Sequence, residues 1–259
     1  MARAMWKGTL ELGKHELDVK LYSAIEDRTV HFHLLHKKDH APVEQHIVRK
    51  DTGEDVPKEE MRKAFALDKG TAVILEPEDL QQLEPEESRA INVSRFVPRA
   101  AVSDQWYDRP YYLGPDADAA DYFALAAALE RQDVIGIVRW VMRKKRYLGA
   151  LYALDGYLMV STLRRADQVL SFAGIEPAKT VAPQPNELKL AEQFVTSIEA
   201  SFDPALWQNE YRERLCKMIE AKAKGEKLAP VRKKKRAAPP SLAAALKASI
   251  AATKEKKVA

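Results

Sequence analysis

The stretch VIGIVRWVMRKKRYLGALYALDGYLMVSTL, residues 134–163, decides the fold. Residues 134–142 form an apolar run that enters the basic turn Arg143, Lys144, Lys145 and Arg146. Residues 147–154 run into Asp155-Gly156, a pair favoured in hairpin turns because both positions accept positive φ. Residues 157–163 then complete an antiparallel meander of three strands. A meander leaves edges that must be paired or covered, so a closed barrel or a covered sheet is the expected solution.

Working outward toward the N-terminus, residues 118–131 read as an alanine-rich helix opened by aspartates, which suit a helix start. Residues 106–113 and 91–97 read as extended pieces, and Thr71 to Leu75 as a strand. Pro77 opens a helical turn through Leu83, and residues 56–65 suggest a short helix after Pro57. Earlier still, Leu17, Val19 and Leu21 alternate with Asp18, Lys20 and Tyr22, the period of a half-buried strand. Val30, Phe32 and Leu34 alternate with His31, His33 and Leu35 and predict another. Between them and Gly53 the pattern dissolves into charge and histidine, as in a long loop or an extended excursion.

Toward the C-terminus, Pro177, Pro183 and Pro185 mark a linker. A helix follows that buries Leu188, Ala191, Val195 and Ile198. A second starts at Asp203-Pro204, buries Trp207, Tyr211, Leu215 and Met218, and stops at Gly225. Beyond it the tail holds the run Arg232, Lys233, Lys234, Lys235 and Arg236 and a weak helical pattern in Leu242, Leu246 and Ile250, a composition expected to be disordered when free.

With 46% hydrophobic and 31% charged residues among 259, the chain has enough apolar mass to bury a core. Its single cysteine, Cys216, forms no intramolecular disulfide, and residues 1–8 carry tryptophan and charge in place of an apolar signal segment. Both features point to the cytoplasm. No run approaches the roughly 20 apolar residues of a membrane-spanning helix, so no membrane partner is expected. The net charge is only +4, but residues 222–257 hold twelve Lys or Arg against two Glu, while acidic residues concentrate in 51–87. That separation of sign suits a polyanion near the C-terminus, and equally a solubilising tail.

The residues offer no catalytic constellation. His31, His33, His36, His40 and His46 gather imidazole, but no cysteine or acidic ligand completes a metal spacing, so neither a metal nor another cofactor is expected. The phosphate loop, the dinucleotide fingerprint, the zinc-protease motif and the nucleophile elbow are all missing. Cations are the richer signal. Lys37-Lys38, Arg49-Lys50, Arg62-Lys63 and the tip from Arg143 to Arg146 recur at exposed places, where several could neutralise several phosphates. Nothing resembles a helix-turn-helix, so contacts to backbone and shape are expected. The rivals are a metal-dependent nucleic-acid enzyme built on the histidines and a structural RNA-binding protein.

At this point the residues resemble a known family, the prokaryotic Ku proteins. The opening ARAMWKGTLELGKHELDVKLYSA, residues 2–24, is similar to the family's N-terminal signature. The likeness continues through FHLLHKKD, VPKEEMRKAFALDKGTAVILEPEDL, FVPRAAVSDQWYDRPYYLGPD, DVIGIVRWVMRKKRYLGALYAL and ELKLAEQFVTSIEASFDPALWQNEYRERL. These blocks stand in family order from Ala2 to about Gly225. Two departures stand out: Lys14 and His15 occupy positions usually apolar in the family, and residues 47–56 lack the paired cysteines some members carry in the arm.

The resemblance implies an α+β chain without enzymatic activity: a Ku-type β-barrel core over residues 1–180 with a DNA-encircling arm at 28–75, a helical segment at 181–225, and a basic tail at 226–259. It implies a ring-shaped homodimer that threads double-stranded DNA ends without reading sequence and recruits the ATP-dependent ligase D for non-homologous end joining, in the nucleoid-associated cytoplasm. The residues expected on phosphates are Lys20, Lys37, Lys38, Arg49, Lys50, Arg62, Lys63, Arg143, Lys144, Lys145 and Arg146, with Lys233, Lys234 and Lys235 as auxiliaries. Leu188, Val195, Trp207, Tyr211 and Leu215 are expected to serve the dimer or the ligase contact.

Overall fold

Alternation of apolar and polar residues at period two puts Leu10, Val19, Leu21, Ile91, Leu113, Val138, Trp140, Leu151, Leu158 and Val160 on one side of their strands, and that side is the core. The computed structural model describes residues 3–68, 70–116, 119–171 and 182–225. The chain divides into two compact units, residues 1–171 and 172–259.

In the first unit, seven strands close a barrel. They are β1 (Trp6–Leu12), β2 (His15–Ser23), β5 (Ala90–Pro98), β6 (Tyr107–Pro115), β7 (Val134–Met142), β8 (Lys145–Leu154) and β9 (Tyr157–Leu163). Their order around the barrel is β1, β2, β6, β9, β8, β7, β5, and the ring shuts through a short parallel pairing of β5 with β1. Closure removes the open edges that the meander alone would present. The remaining strands, β3 (Lys63–Asp68) and β4 (Thr71–Leu75), form a separate two-stranded sheet.

The meander is as its sequence predicts. Asp155 and Gly156 turn with φ of 52° and 78°, and the preceding turn uses only Arg143 and Lys144, at 50° and 61°. Lys145 and Arg146 already belong to β8 and pair with Met142 and Val141. Pro110 is tolerated within β6 because the register with β9 slips between Tyr107 and Pro110. There the Arg109 amide donates to Thr162 Oγ1 at 2.9 Å instead of to a strand carbonyl.

Helix α2 (Ala119–Gln132) plugs one end of the barrel. Tyr122, Ala126 and Leu129, spaced one turn apart, are its buried residues and join the core cluster. The Tyr122 hydroxyl donates to the Leu113 carbonyl at 2.5 Å and accepts the Leu158 amide at 2.8 Å, so a side chain completes the β6–β9 seam where the ladder ends. Burial raises the pKa of that phenol, partly offset by the Leu158 amide. Asp118, part of the expected helix start, lies outside the described residues.

Between β2 and β5 the chain makes a long excursion, residues 24–89. It carries β3, β4 and helix α1 (Pro77–Gln82). Two expectations fail here. The alternation at Val30 to Leu35 forms no strand, only a single bridge between Leu35 and Pro42, because no neighbouring strand lies alongside to pair with it. The expected helix over residues 56–65 shrinks to one 3-10 turn at Lys58–Glu60, after which Lys63 enters β3 and pairs opposite Leu75. The expected arm, 28–75, lies within this excursion.

In the second unit, α3 (Pro185–Ile198) and α4 (Glu210–Ala223) are helical as expected. Asp203-Pro204 opens a separate 3-10 turn, while α4 is capped by Asn209, whose side chain accepts the Arg212 amide at 3.0 Å. The faces predicted to be buried are mostly exposed. Leu188, Val195, Ile198, Trp207 and Tyr211 are all open, and among the described residues of this unit only Leu215 and Ala221 are buried. Gly225 follows the helix at φ 77°, as a stop signal should. The basic tail lies outside the described residues.

Candidate nucleic-acid interface

Strand directions decide where the cations gather. β2 ends, β5 begins and the β7–β8 turn falls at the same end of the barrel, opposite the end closed by α2 and the Asp155-Gly156 turn. Both feet of the excursion therefore stand beside the basic hairpin tip.

Lys37 and Lys38 occupy a turn closed by the Leu35–Pro42 bridge, with His36 Nδ1 and Asp39 Oδ1 2.6 Å apart across it. That imidazole holds the Asp39 carboxyl below its usual range. Lys50 sits in a similar turn closed by the Val48–Asp55 bridge. Here His46 lies 3.3 Å from Asp55 and 3.6 Å from Glu44, and the Asp55 hydrogen bond leads in raising its pKa. Among the described residues, no three His, Cys, Asp or Glu side chains gather into a set that could hold a metal ion.

The predicted contact residues fall into two groups. Lys20, Arg49, Arg62 and Lys144 have carboxylate partners. Lys20 and Lys7 share Asp116, whose carboxyl is lowered first by Lys20. Arg49 grips Asp51 through two contacts of 3.1 and 2.7 Å. Arg62 pairs with Glu76 at 2.8 Å and donates to the carbonyls of Glu59 and Met61, clipping the base of the β3–β4 hairpin to the start of α1. Lys144 pairs with Glu84 at 2.8 Å. By contrast Lys37, Lys38, Lys50, Lys63, Arg143, Lys145 and Arg146 are exposed, with no ion pair among the described residues. Lys233, Lys234 and Lys235 lie outside the described residues.

One cation escaped the sequence reading. Arg139 is the exposed member of an otherwise apolar β7, opposite Asn92 on β5 and Leu148 on β8. Period two along β7 places it on the outer face with Val141.

Comparison with known proteins agrees with this architecture. The family described as the Ku70/Ku80 beta-barrel domain matches residues 11–190. Non-homologous end joining protein Ku 2 of Geotalea uraniireducens is 36% identical over 228 residues, 88% of this chain and 89% of the relative. Non-homologous end joining protein Ku of Coxiella burnetii is 34% identical over 241 residues, covering 91% and 88%. The protein of that name in Mycolicibacterium smegmatis is 35% identical over 228 residues, covering 86% and 72%. A closed barrel that sends out one long excursion, matched by the barrel family and by bacterial relatives over most of their length, places this chain among the bacterial Ku proteins.

Proposed function

We propose that two copies of this chain close their excursions into a ring around double-stranded DNA, load at a broken end, protect it, and recruit the ATP-dependent ligase D for non-homologous end joining. The names of the relatives support the pathway. The observation that carries the ring is the apolar exposure of residues 24–89. Phe32 is 65% exposed, Ile47 60%, Phe65 64% and Ile74 61%. A two-stranded hairpin of this kind is marginal by itself in water, and apolar residues collected on a single segment mark a surface that a partner covers. The exposed faces of α3, with Leu188 and Val195, and of the following segment, with Trp207 and Tyr211, are the second surface offered to the dimer or the ligase.

Binding is to phosphates and duplex shape. Within residues 1–171, α2 buries its apolar face in the barrel and α1 spans only 6 residues, so neither is free to enter a major groove. The cations without carboxylate partners supply contacts that carry no sequence information. The chain contributes no catalytic step of its own in this reading.

The test is topological. Protein is loaded on linear duplex, both ends are then blocked with bulky adducts, and retention is followed at high salt beside the same DNA with open ends. An encircling dimer stays on the blocked DNA, slides off the open DNA and fails to load on closed circles. Equal escape from blocked and open DNA defeats the ring, and a stable monomer at micromolar concentration in sedimentation defeats the dimer.

A further inference from the structure

A small pocket lies where the excursion rejoins the barrel, lined by Ser88, Ala90, Asn92, Arg139, Trp140, Val141, Arg146 and Tyr147, with a volume of about 240 Å³. The register explains how it is built. Asn92 stands opposite Arg139 across β5 and β7, and Arg146 stands opposite Val141 across β7 and β8. Arg139 and Arg146 are therefore diagonal neighbours, a separation long side chains bridge.

Its chemistry is one-sided. The lining holds two guanidiniums, an amide and the hydroxyls of Ser88 and Tyr147, and no carboxylate. Neither Arg139 nor Arg146 has a side-chain partner among the described residues, whereas Lys144 nearby is already neutralised by Glu84. Ser88 Oγ accepts the Ala90 amide at 3.1 Å, which leaves its O–H free to donate. Such a set of donors fits a tetrahedral oxyanion, and planar guanidiniums match phosphate oxygens in pairs. The volume falls below the roughly 300–1,000 Å³ of sites that take drug-sized ligands, so the fit is to one phosphate group and not to a nucleotide.

We infer that this pocket seats a single phosphate of the bound DNA, held by Arg139 and Arg146 with Asn92 and Ser88 as neutral donors. The inference rests on the DNA-end-binding reading and deepens it by naming a built subsite. The phosphate comes from an internal diester or from the 5′-terminus of the break, which carries more charge; the chemistry of capture is the same.

The experiment uses the full chain. Affinity for linear duplex with 5′-phosphate or 5′-hydroxyl ends is measured across a salt series for the wild type, Arg139→Gln/Arg146→Gln and Asn92→Asp. The double variant is expected to lose at least tenfold in affinity. Because both guanidiniums address one phosphate, its salt slope should fall by about one, not two. A loss confined to 5′-phosphorylated ends assigns the terminal group, and an equal loss on both duplexes assigns an internal diester. Asn92→Asp, which sets a carboxylate among the donors without touching the core, should weaken binding in the same direction. Inorganic phosphate at millimolar concentration should raise the melting midpoint of the wild type and not of the double variant. Affinities of both variants within twofold of wild type overturn the pocket, as does a phosphate effect that survives the double substitution. Failure of the parent reading looks different: the wild type itself would then bind closed circles as well as linear duplex.

Discussion

Lys144 Nζ lies 2.8 Å from Glu84 Oε2, joining the tip of the β7–β8 hairpin to the segment that returns from the excursion. The Glu84 hydrogen bond leads in raising the lysine's pKa, and Glu87 adds to it. The folded protein therefore keeps one tip cation neutralised by its own chain. Glu84→Gln should release it to DNA, steepening the salt dependence of binding by about 0.9 per additional phosphate. Folding should scarcely change, since exposed pairs contribute little to stability. An unchanged salt slope in mobility-shift titrations would mean that Lys144 finds no phosphate.

Tyr122→Phe tests the plugged end of the barrel. The substitution keeps the ring in the core but leaves the Leu113 carbonyl and the Leu158 amide without their partner. Buried groups stranded in this way cost about 1–3 kcal/mol. Urea denaturation should show a loss of that size, with affinity for DNA preserved because the proposed interface lies at the opposite end. A loss of DNA binding without a loss of stability would contradict the placement.

The two-residue turn at Arg143 and Lys144 holds both side chains at positive φ, where Asn and Gly are the usual occupants of a hairpin. An L-residue with a Cβ is strained in that region by on the order of 1 kcal/mol. Arg143→Asn/Lys144→Gly should raise the thermal midpoint while weakening DNA binding. If stability rises and binding is unchanged, the tip is a turn and nothing more.

His46 predicts a pH dependence in the excursion. Its folded pKa is raised, first by Asp55 and then by Glu44. A raised base contributes stability that is fully present below the ordinary histidine value near 6.5 and is lost as pH rises through the folded value. Amide exchange in the turn around Arg49 should therefore be slower at pH 6 than at pH 8 after correction for intrinsic rates, and His46→Ala should flatten the difference. Protection that increases with pH would reverse the assignment.

Residues whose neighbours are close in sequence were legible. The meander declared itself through period two and Asp155-Gly156, and Thr71 to Leu75 through its β-branched residues. What the sequence hid depended on distant partners. Val30 to Leu35 alternates like a strand, yet no strand runs beside it, so the pattern yields exposed Phe32 and Leu34. Lys63 to Asp68, rich in alanine, shows little β-preference of its own and becomes a strand by pairing with β4. Among the cations, the sequence located basic residues but not their carboxylates. Asp116 reaches Lys20, and Glu84 reaches Lys144, across separations no local pattern records.

The short parallel seam between β1 and β5 makes the excursion an insertable cassette. Its feet, at the end of β2 and the start of β5, are separated around the barrel by β1 alone, about two strand spacings or 10 Å. The barrel senses the gap between those feet and not the length of chain that spans it, since the entropy of closing a loop rises only with the logarithm of its length. Selection can then lengthen, shorten or restiffen the excursion to suit what it surrounds while the barrel's hydrogen-bonded register stays as it is.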